Sequence, residues 1–107
     1  MATISAPIQR MLDATNAEDR TAFVDCFNDD AHLEDWGRAF DGHAGVARWD
    51  ESDNIGRHAR FEALAERVDG DDHIVTLVVT GGGFNGTSDI AFRLDGDRIS
   101  RMVISAE

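Results

Sequence analysis

Asn28-Asp29-Asp30-Ala31-His32-Leu33-Glu34-Asp35-Trp36-Gly37 is the stretch on which the fold turns, because it leaves a helix and runs straight into a strand that ends on an acid and an indole. Side chains alternate along an extended segment, so Leu33 and Asp35 share one face while His32, Glu34 and Trp36 share the other. If Leu33 points into the core, Asp35 points inward too. A carboxylate aimed at an apolar interior is costly unless it is paired, protonated or kept there for chemistry. Asp35 is therefore the candidate catalytic residue, beside an equal reading in which it caps a turn or pairs with Arg38, Arg48 or another guanidinium and does no chemistry, and the rest of the chain reads as the wall around it.

Upstream, Ile4, Ile8, Met11, Leu12 and Thr15 recur at helical spacing, with Ser5 able to cap and Pro7 tolerated in the first turn; this predicts a helix ending near Asn16. Asp19 is a plausible cap for a second helix whose Ala22, Phe23, Cys26 and Phe27 form one apolar stripe, with Asn28-Asp29-Asp30 as its stop. Downstream, Ala31 to Trp36 is a strand, Gly37-Arg38 a turn, and Ala39-Phe40-Asp41 a partner strand or an edge. Gly42 opens a third helix that places Val46 and Trp49 on one face and Arg48, Asp50 and Glu51 on the other. Asp53 to Arg57 reads as loop, broken by Asn54 and Gly56.

The period then changes. Arg60 to Val68, His73 to Thr80, Thr87 to Leu94 and Arg98 to Ser105 are β-rich runs joined by short connections rich in Gly and Asp, the pattern of hairpins in an antiparallel meander. Helices first and a curved antiparallel sheet afterwards make an α+β domain with the helices packed on one face. Residues 1–107 form a single domain, since 107 residues are too few for two cores.

Composition narrows the function classes. A net charge of −11, from ten arginines, no lysine and twenty-one acids, argues against nucleic acid or an anionic membrane surface as partner. No apolar run approaches the ~20 residues of a membrane span. Met1 to Pro7 lacks the basic and long apolar regions of a secretory signal, so the expected setting is cytoplasmic. Cys26 stands alone between apolar neighbours and reads as a packed thiol. Gly81-Gly82-Gly83-Phe84-Asn85-Gly86 satisfies G-x-G-x-x-G, but a strand rather than a helix follows, so it is a hairpin loop with Asn85-Gly86 as the tight turn. His32 and Glu34 lack a third ligand at any specified spacing, so no metal site and no cofactor are expected.

The order of elements, together with the phrases NAEDRTAFVDCFNDDAHLEDWG (16–37), FDGHAGVARW (40–49) and FRLDGDRISRMVI (92–104), resembles the nuclear transport factor 2-like superfamily, which includes ketosteroid isomerases and SnoaL-like polyketide cyclases. The resemblance covers nearly the whole chain. It implies a cone-shaped curved antiparallel sheet, a cystatin-like roll, with helices closing a hydrophobic pocket. It also implies a general base at Asp35. The tyrosine of the isomerase oxyanion hole falls on Met11 and its second acid on Ile90, with Asp89 one residue off and on the opposite face, so that hole is missing. The epoxide-hydrolase branch works through aspartates and an arginine on late strands, whereas Ser100-Arg101-Met102-Val103-Ile104 offers no acid.

Met11, Phe23, Phe27, Trp36 and Phe40, with Trp49, Phe61, Ile90, Phe92 and Met102, are then the residues expected to line a pocket for a small apolar molecule. Three readings stay open. The protein is an enzyme in which Asp35 moves a proton alpha to a carbonyl, a ligand-binding module without turnover, or a module whose sheet face dimerises or holds a partner. Apolar residues on both faces of the meander, Val75, Leu77 and Val79 against Ile74 and Val78, predict a homodimer through the sheet.

Overall fold

The computed structural model describes residues 3–105. Three helices, α1 (Ala6–Asn16), α2 (Arg20–Asp25) and α3 (Gly42–Asp53), pack against the concave face of a six-stranded sheet. The strands are β1 (Phe27–Asp35), β2 (Arg38–Asp41), β3 (Arg60–Asp69), β4 (Asp72–Thr80), β5 (Gly86–Asp95) and β6 (Arg98–Ile104), in the order β2-β1-β6-β5-β4-β3. Strands β3 to β6 are the expected antiparallel meander. The sheet as a whole is mixed, however, because β1 runs parallel to β6. Parallel neighbours need a long crossover, and the chain between β1 and β6 supplies one that holds every other strand.

Local signals set most of the elements. In α1 the predicted stripe Ile8, Met11, Leu12 and Thr15 is buried, with Pro7 in the first turn. Ser5 does not cap it; its backbone N–H and hydroxyl donate to Glu66 at 2.8 and 2.5 Å, a charge-assisted pair stronger than a neutral cap. Asp19 does cap α2, accepting from the Ala22 N–H at 3.1 Å.

The stop of α2 differs from expectation. It ends at Asp25, and Asn28-Asp29-Asp30 lie inside β1 rather than ahead of it. Tertiary pairing overrides the local breakers: the Ile99 N–H donates to the Cys26 carbonyl at 2.8 Å, Phe27 pairs with Ile99, and the register slips before His32. Phe27 stays buried in either setting.

Beyond the slip the predicted alternation holds. Ala31 and Leu33 are fully buried, and the Asp35 side chain, two residues on, is only 13% exposed. Val75, Leu77, Ile90 and Phe92 continue the same inward face on β4 and β5. Asp89 points outward, where it accepts from the Thr76 hydroxyl across the strand pair. No described helix is long and apolar enough to cross a membrane.

Two connections shape the open end of the cone. The β1–β2 hairpin turns on Trp36 and Gly37, both at positive φ (51° and 83°), so the strands close in two residues and Asp35 pairs directly with Arg38. A bulky aromatic in that conformation is strained, at a cost of roughly 1–2 kcal/mol. The β4–β5 loop is not the expected Asn-Gly turn. Asn85 uses its side chain to tie the loop, accepting from the Gly81 N–H and donating to the Gly81 and Gly83 carbonyls. The three glycines let this loop lie flat, as a strap, on the backbone of Arg57–Ala59, where the Gly82 N–H donates to the Arg57 carbonyl at 2.8 Å.

Gly70 and Gly81 both have positive φ, but a Cβ on Gly70 meets nothing whereas one on Gly81 would lie 2.8 Å from the His58 carbonyl oxygen. Gly70→Ala is expected to cost about 1 kcal/mol through backbone strain alone. Gly81→Ala should cost more, roughly 2–3 kcal/mol, because the strap must lift. Urea unfolding of the two variants checks the order; equal losses would mean that the strap does not rest on Arg57–Ala59.

Candidate active site

A cavity of about 660 Å³ opens between the concave sheet, the C-terminal end of α3 and the glycine strap. That volume suits a small organic molecule. Its apolar floor is Ala59, Phe61, Val79, Ile90 and Ile104. Asp35, Asp53 and Asn54 bring polar groups to the wall, and Trp36, Phe84, Arg38 and Arg57 stand at the rim. Trp36 and Phe84 are each more than half exposed, so two large apolar rings lie open to solvent beside one entrance.

Asp35 reaches the cavity because strand alternation turns it inward and the tight hairpin brings Arg38 back beside it. Its Oδ2 accepts from the Trp49 indole N–H at 2.9 Å and from the Arg38 guanidinium at 2.8 Å. Oδ1 holds neither of these donors. Arg38 also binds Asp53, and it lies 5.4 Å above the centre of the Phe40 ring, a cation–π contact that fixes the guanidinium in place.

The two carboxylates are driven apart. Burial pushes Asp35 above the usual carboxylate range, with its hydrogen bond to Asp53 pushing the same way and the Trp49 N–H and Arg38 only partly opposing. Desolvation acts on Asp53 too, but hydrogen bonds from Arg38 and Ser52, and the one shared with Asp35, hold it below that range. A proton between them resides on Asp35. Two neighbouring carboxyls with separated affinities make Asp35 and Asp53 a candidate acid/base pair.

Asp50 meets Asn54 from behind the wall. Asp50, expected on the outer face of α3, is instead 2% exposed; its Oδ1 accepts from Asn54 Nδ2 at 3.0 Å and from the Ile55 N–H at 3.4 Å. The helix end needs those acceptors, and burial raises the Asp50 pKa as the consequence. Asn54 Nδ2 also donates to the Thr15 hydroxyl at 3.1 Å, while Asn54 Oδ1 is buried with no partner among the described residues.

Of the residues expected to line the pocket, Trp36, Trp49, Phe61 and Ile90 line this cavity with Asp35. Met11, Phe23, Phe27, Phe92 and Met102 do not; each is fully buried in the core. Phe23 stacks on Trp49 at 6.0 Å and tilts against Phe27 at 5.3 Å, so these rings fill the half of the cone beneath α1 and α2 and leave the other half open. Phe40 also lies off the cavity, beneath Arg38.

Sequence reading missed Asp53, Asn54, Arg57 and Phe84, while Arg38 stands where it was offered as a partner of Asp35. Asp53 carried a signal: it follows Trp49 by four residues and so shares its helical face. Among the described residues no group of three or more His, Cys, Asp or Glu is placed to hold a metal. His32 instead bonds Asp41 at 2.6 Å.

A concave sheet closed by helices around an acid-bearing apolar cavity defines an α+β protein of the nuclear transport factor 2-like class. Residues 8–102 match the SnoaL-like domain, and the chain belongs to that family. A Sinorhizobium meliloti protein, proposed to be a polyketide cyclase, is 28% identical with a TM-score of 0.85 over 95% of each chain. The Δ5-3-ketosteroid isomerase of a Mycobacterium species is 18% identical with a TM-score of 0.80, over 95% of this chain and 91% of that one. A Mycobacterium tuberculosis protein solved in complex with estradiol-17β-hemisuccinate is 17% identical, with a TM-score of 0.75 over 94% of this chain and 91% of that one. A search among curated proteins gave no match.

Opposite shifts give opposite pH behaviour. Asp35 has a folded pKa above its unfolded one, so the stability tied to its protonated form is complete below the unfolded value and is lost as pH rises through the folded value. Asp35→Asn should therefore melt at or above the wild type at pH 7, with the gap closing in acid, and Arg38 keeps Asp53 as partner. Asp53 has a folded pKa below its unfolded one, so its contribution is present above the unfolded value and is lost as pH falls through the folded value. Asp53→Asn should cost about 1 kcal/mol or less at pH 7, because Arg38 is half exposed. Thermal melts of both variants from pH 3 to 8 test the pair; a clear loss at pH 7 in Asp35→Asn would mark Asp35 as a structural ion pair.

Proposed function

We propose that this protein binds a small, largely apolar carbonyl compound in the cavity and moves a proton on the carbon next to the carbonyl, with Asp35 as the base. The observation that carries this reading is the Asp35 carboxyl itself. It lies at the wall of an apolar cavity, its proton affinity is raised by burial, and one of its oxygens is held in place by Trp49 and Arg38. A general base works best when its pKa approaches the operating pH, and burial moves Asp35 in that direction.

The missing tyrosine and second acid narrow the substrate. Met11, where the isomerase tyrosine would fall, is buried outside the cavity, and Ile90, in place of the second acid, offers only hydrocarbon. The Trp49 N–H already serves Asp35. Removing one oxyanion donor costs on the order of 10²–10³ in turnover, so a site with neither requires a carbon that is already acidic. A β-dicarbonyl or an arylacetone-like ketone has such a carbon. Membership of the SnoaL-like family and the cyclase and isomerase neighbours support this chemistry without specifying a substrate.

Deuterium exchange at the benzylic position of 2-tetralone, followed by NMR, is a direct assay. The wild type should accelerate exchange, and Asp35→Asn should lose about 10²–10⁴ of that acceleration. Binding of 2-tetralone without acceleration would leave a ligand-binding protein and remove the enzyme.

A second proposal concerns the convex face. Leu64 is half exposed in the β3 bulge, and Ile74 and Val78 are only partly covered on β4, so we propose that two copies pair through this face. Light scattering at micromolar concentration should give the mass of a dimer, and Leu64→Glu should weaken it; a monomeric wild type would contradict the proposal.

A further inference from the structure

We propose that Arg57 is an anchor for an anionic group on the ligand, so that the molecule bound here is amphipathic: an apolar body in the cavity and a carboxylate or similar anion at the rim. The inference rests on the reading that the cavity takes a ligand, and it adds the chemical class of that ligand's outer end.

Charge pairing points to Arg57 first. In a chain of net charge −11, Arg38, Arg60, Arg67, Arg93 and Arg98 each lie within 4.0 Å of a carboxylate, and Arg10, Arg20, Arg48 and Arg101, which have no such partner among the described residues, do not line the cavity. Arg57 lines the cavity and has no such partner among the described residues; its hydrogen bond runs from Nε to the Ser52 carbonyl at 2.9 Å. The cavity's other arginine, Arg38, is already shared by Asp35 and Asp53. Among the described residues, Arg57 is thus the cationic group of the cavity wall that no carboxylate engages.

Preorganisation is the second observation. The Nε contact fixes the plane of the guanidinium, and the side-chain stem lies along the strap, its Cβ and Cγ both 3.7 Å from where a Cβ on Gly83 would be. The same residue's carbonyl holds the Gly82 N–H. Both terminal nitrogens are left to meet a planar anion through parallel hydrogen bonds, the geometry that guanidinium offers and ammonium does not. Trp36 and Phe84 flank the same entrance and would cover the apolar part of a molecule whose charged end stays near solvent.

The test uses two probes that differ in charge at one end, 2-naphthylacetate and 2-naphthylacetamide, titrated into the protein and followed by NMR. Wild type should bind the carboxylate about tenfold more tightly at low salt, with the preference shrinking at high salt. Arg57→Gln should abolish the preference while still binding the amide, Arg57→Lys should keep part of it, and Arg48→Gln, on the exposed side of α3, should leave it unchanged. Equal affinity of wild type for the two probes, or a preference that survives Arg57→Gln, overturns the anion anchor and leaves the apolar cavity standing. Failure of both probes to shift resonances of cavity residues overturns the ligand-cavity reading and the anchor with it.

Discussion

The contact between the Asp35 carboxylate and the Trp49 indole N–H is the constraint on which the site depends, because it lets a charge-bearing group stand at an apolar wall. Burying an ionised carboxylate without partners would cost several kcal/mol. Here the Trp49 donor comes from α3 and the Arg38 donor from β2. Both arrive only because the hairpin closes in two residues. Asp35 and Arg38 are cross-strand partners, and β2 then feeds directly into α3 at Gly42. The strained Trp36 at the turn follows from the same geometry: a longer, relaxed loop would carry Arg38 away from Asp35. Strain of this kind persists where surrounding structure over-determines it, and it gathers at functional sites.

The cone is divided into a filled half and an open half. Beneath α1 and α2, the rings of Phe23, Phe27 and Phe92 with Met11 and Met102 complete a dry core. Beyond Trp49 the helix ends, the chain turns through Asn54, and the strap lies across Arg57–Ala59 instead of dropping into the cone. Trp49 is the partition. One face stacks on Phe23 in the core, while its N–H reaches the acid on the cavity side. The dry core and the cavity therefore draw on different parts of one concave surface, and the open half carries two aspartates whose proton affinities are pushed apart.

The sequence carried the fold well because its signals are local and periodic. Helical spacing in α1, the Asp19 cap and four β-rich runs each state their element without help from the rest of the chain. Strand parity alone located Asp35 on the inward face. The boundary of α2 and the parallel β1–β6 pair were out of reach, since both are set by hydrogen bonds to β6, some seventy residues away. The lining suffered in the same manner. Periodicity says which residues face inward, but not which inward residues meet one another, so Met11, Phe23, Phe27, Phe92 and Met102 could not be told from Phe61 and Ile90. Asp50 looked like a solvated helix residue because nothing local announces that Asn54 and the Ile55 N–H will fold back over it.

Separation of the two carboxyl affinities is the central claim, and it can be read directly. Protein labelled with carbon-13 at the aspartate side-chain carboxyls, with Asp35 and Asp53 assigned through Asp35→Asn and Asp53→Asn, is titrated by NMR from pH 2 to 9. The structure predicts that Asp35 titrates above the ordinary value of about 3.9 and Asp53 below it. An Asp35 that titrates at or below about 3.9, as a carboxylate held mainly by Arg38 would, contradicts the account.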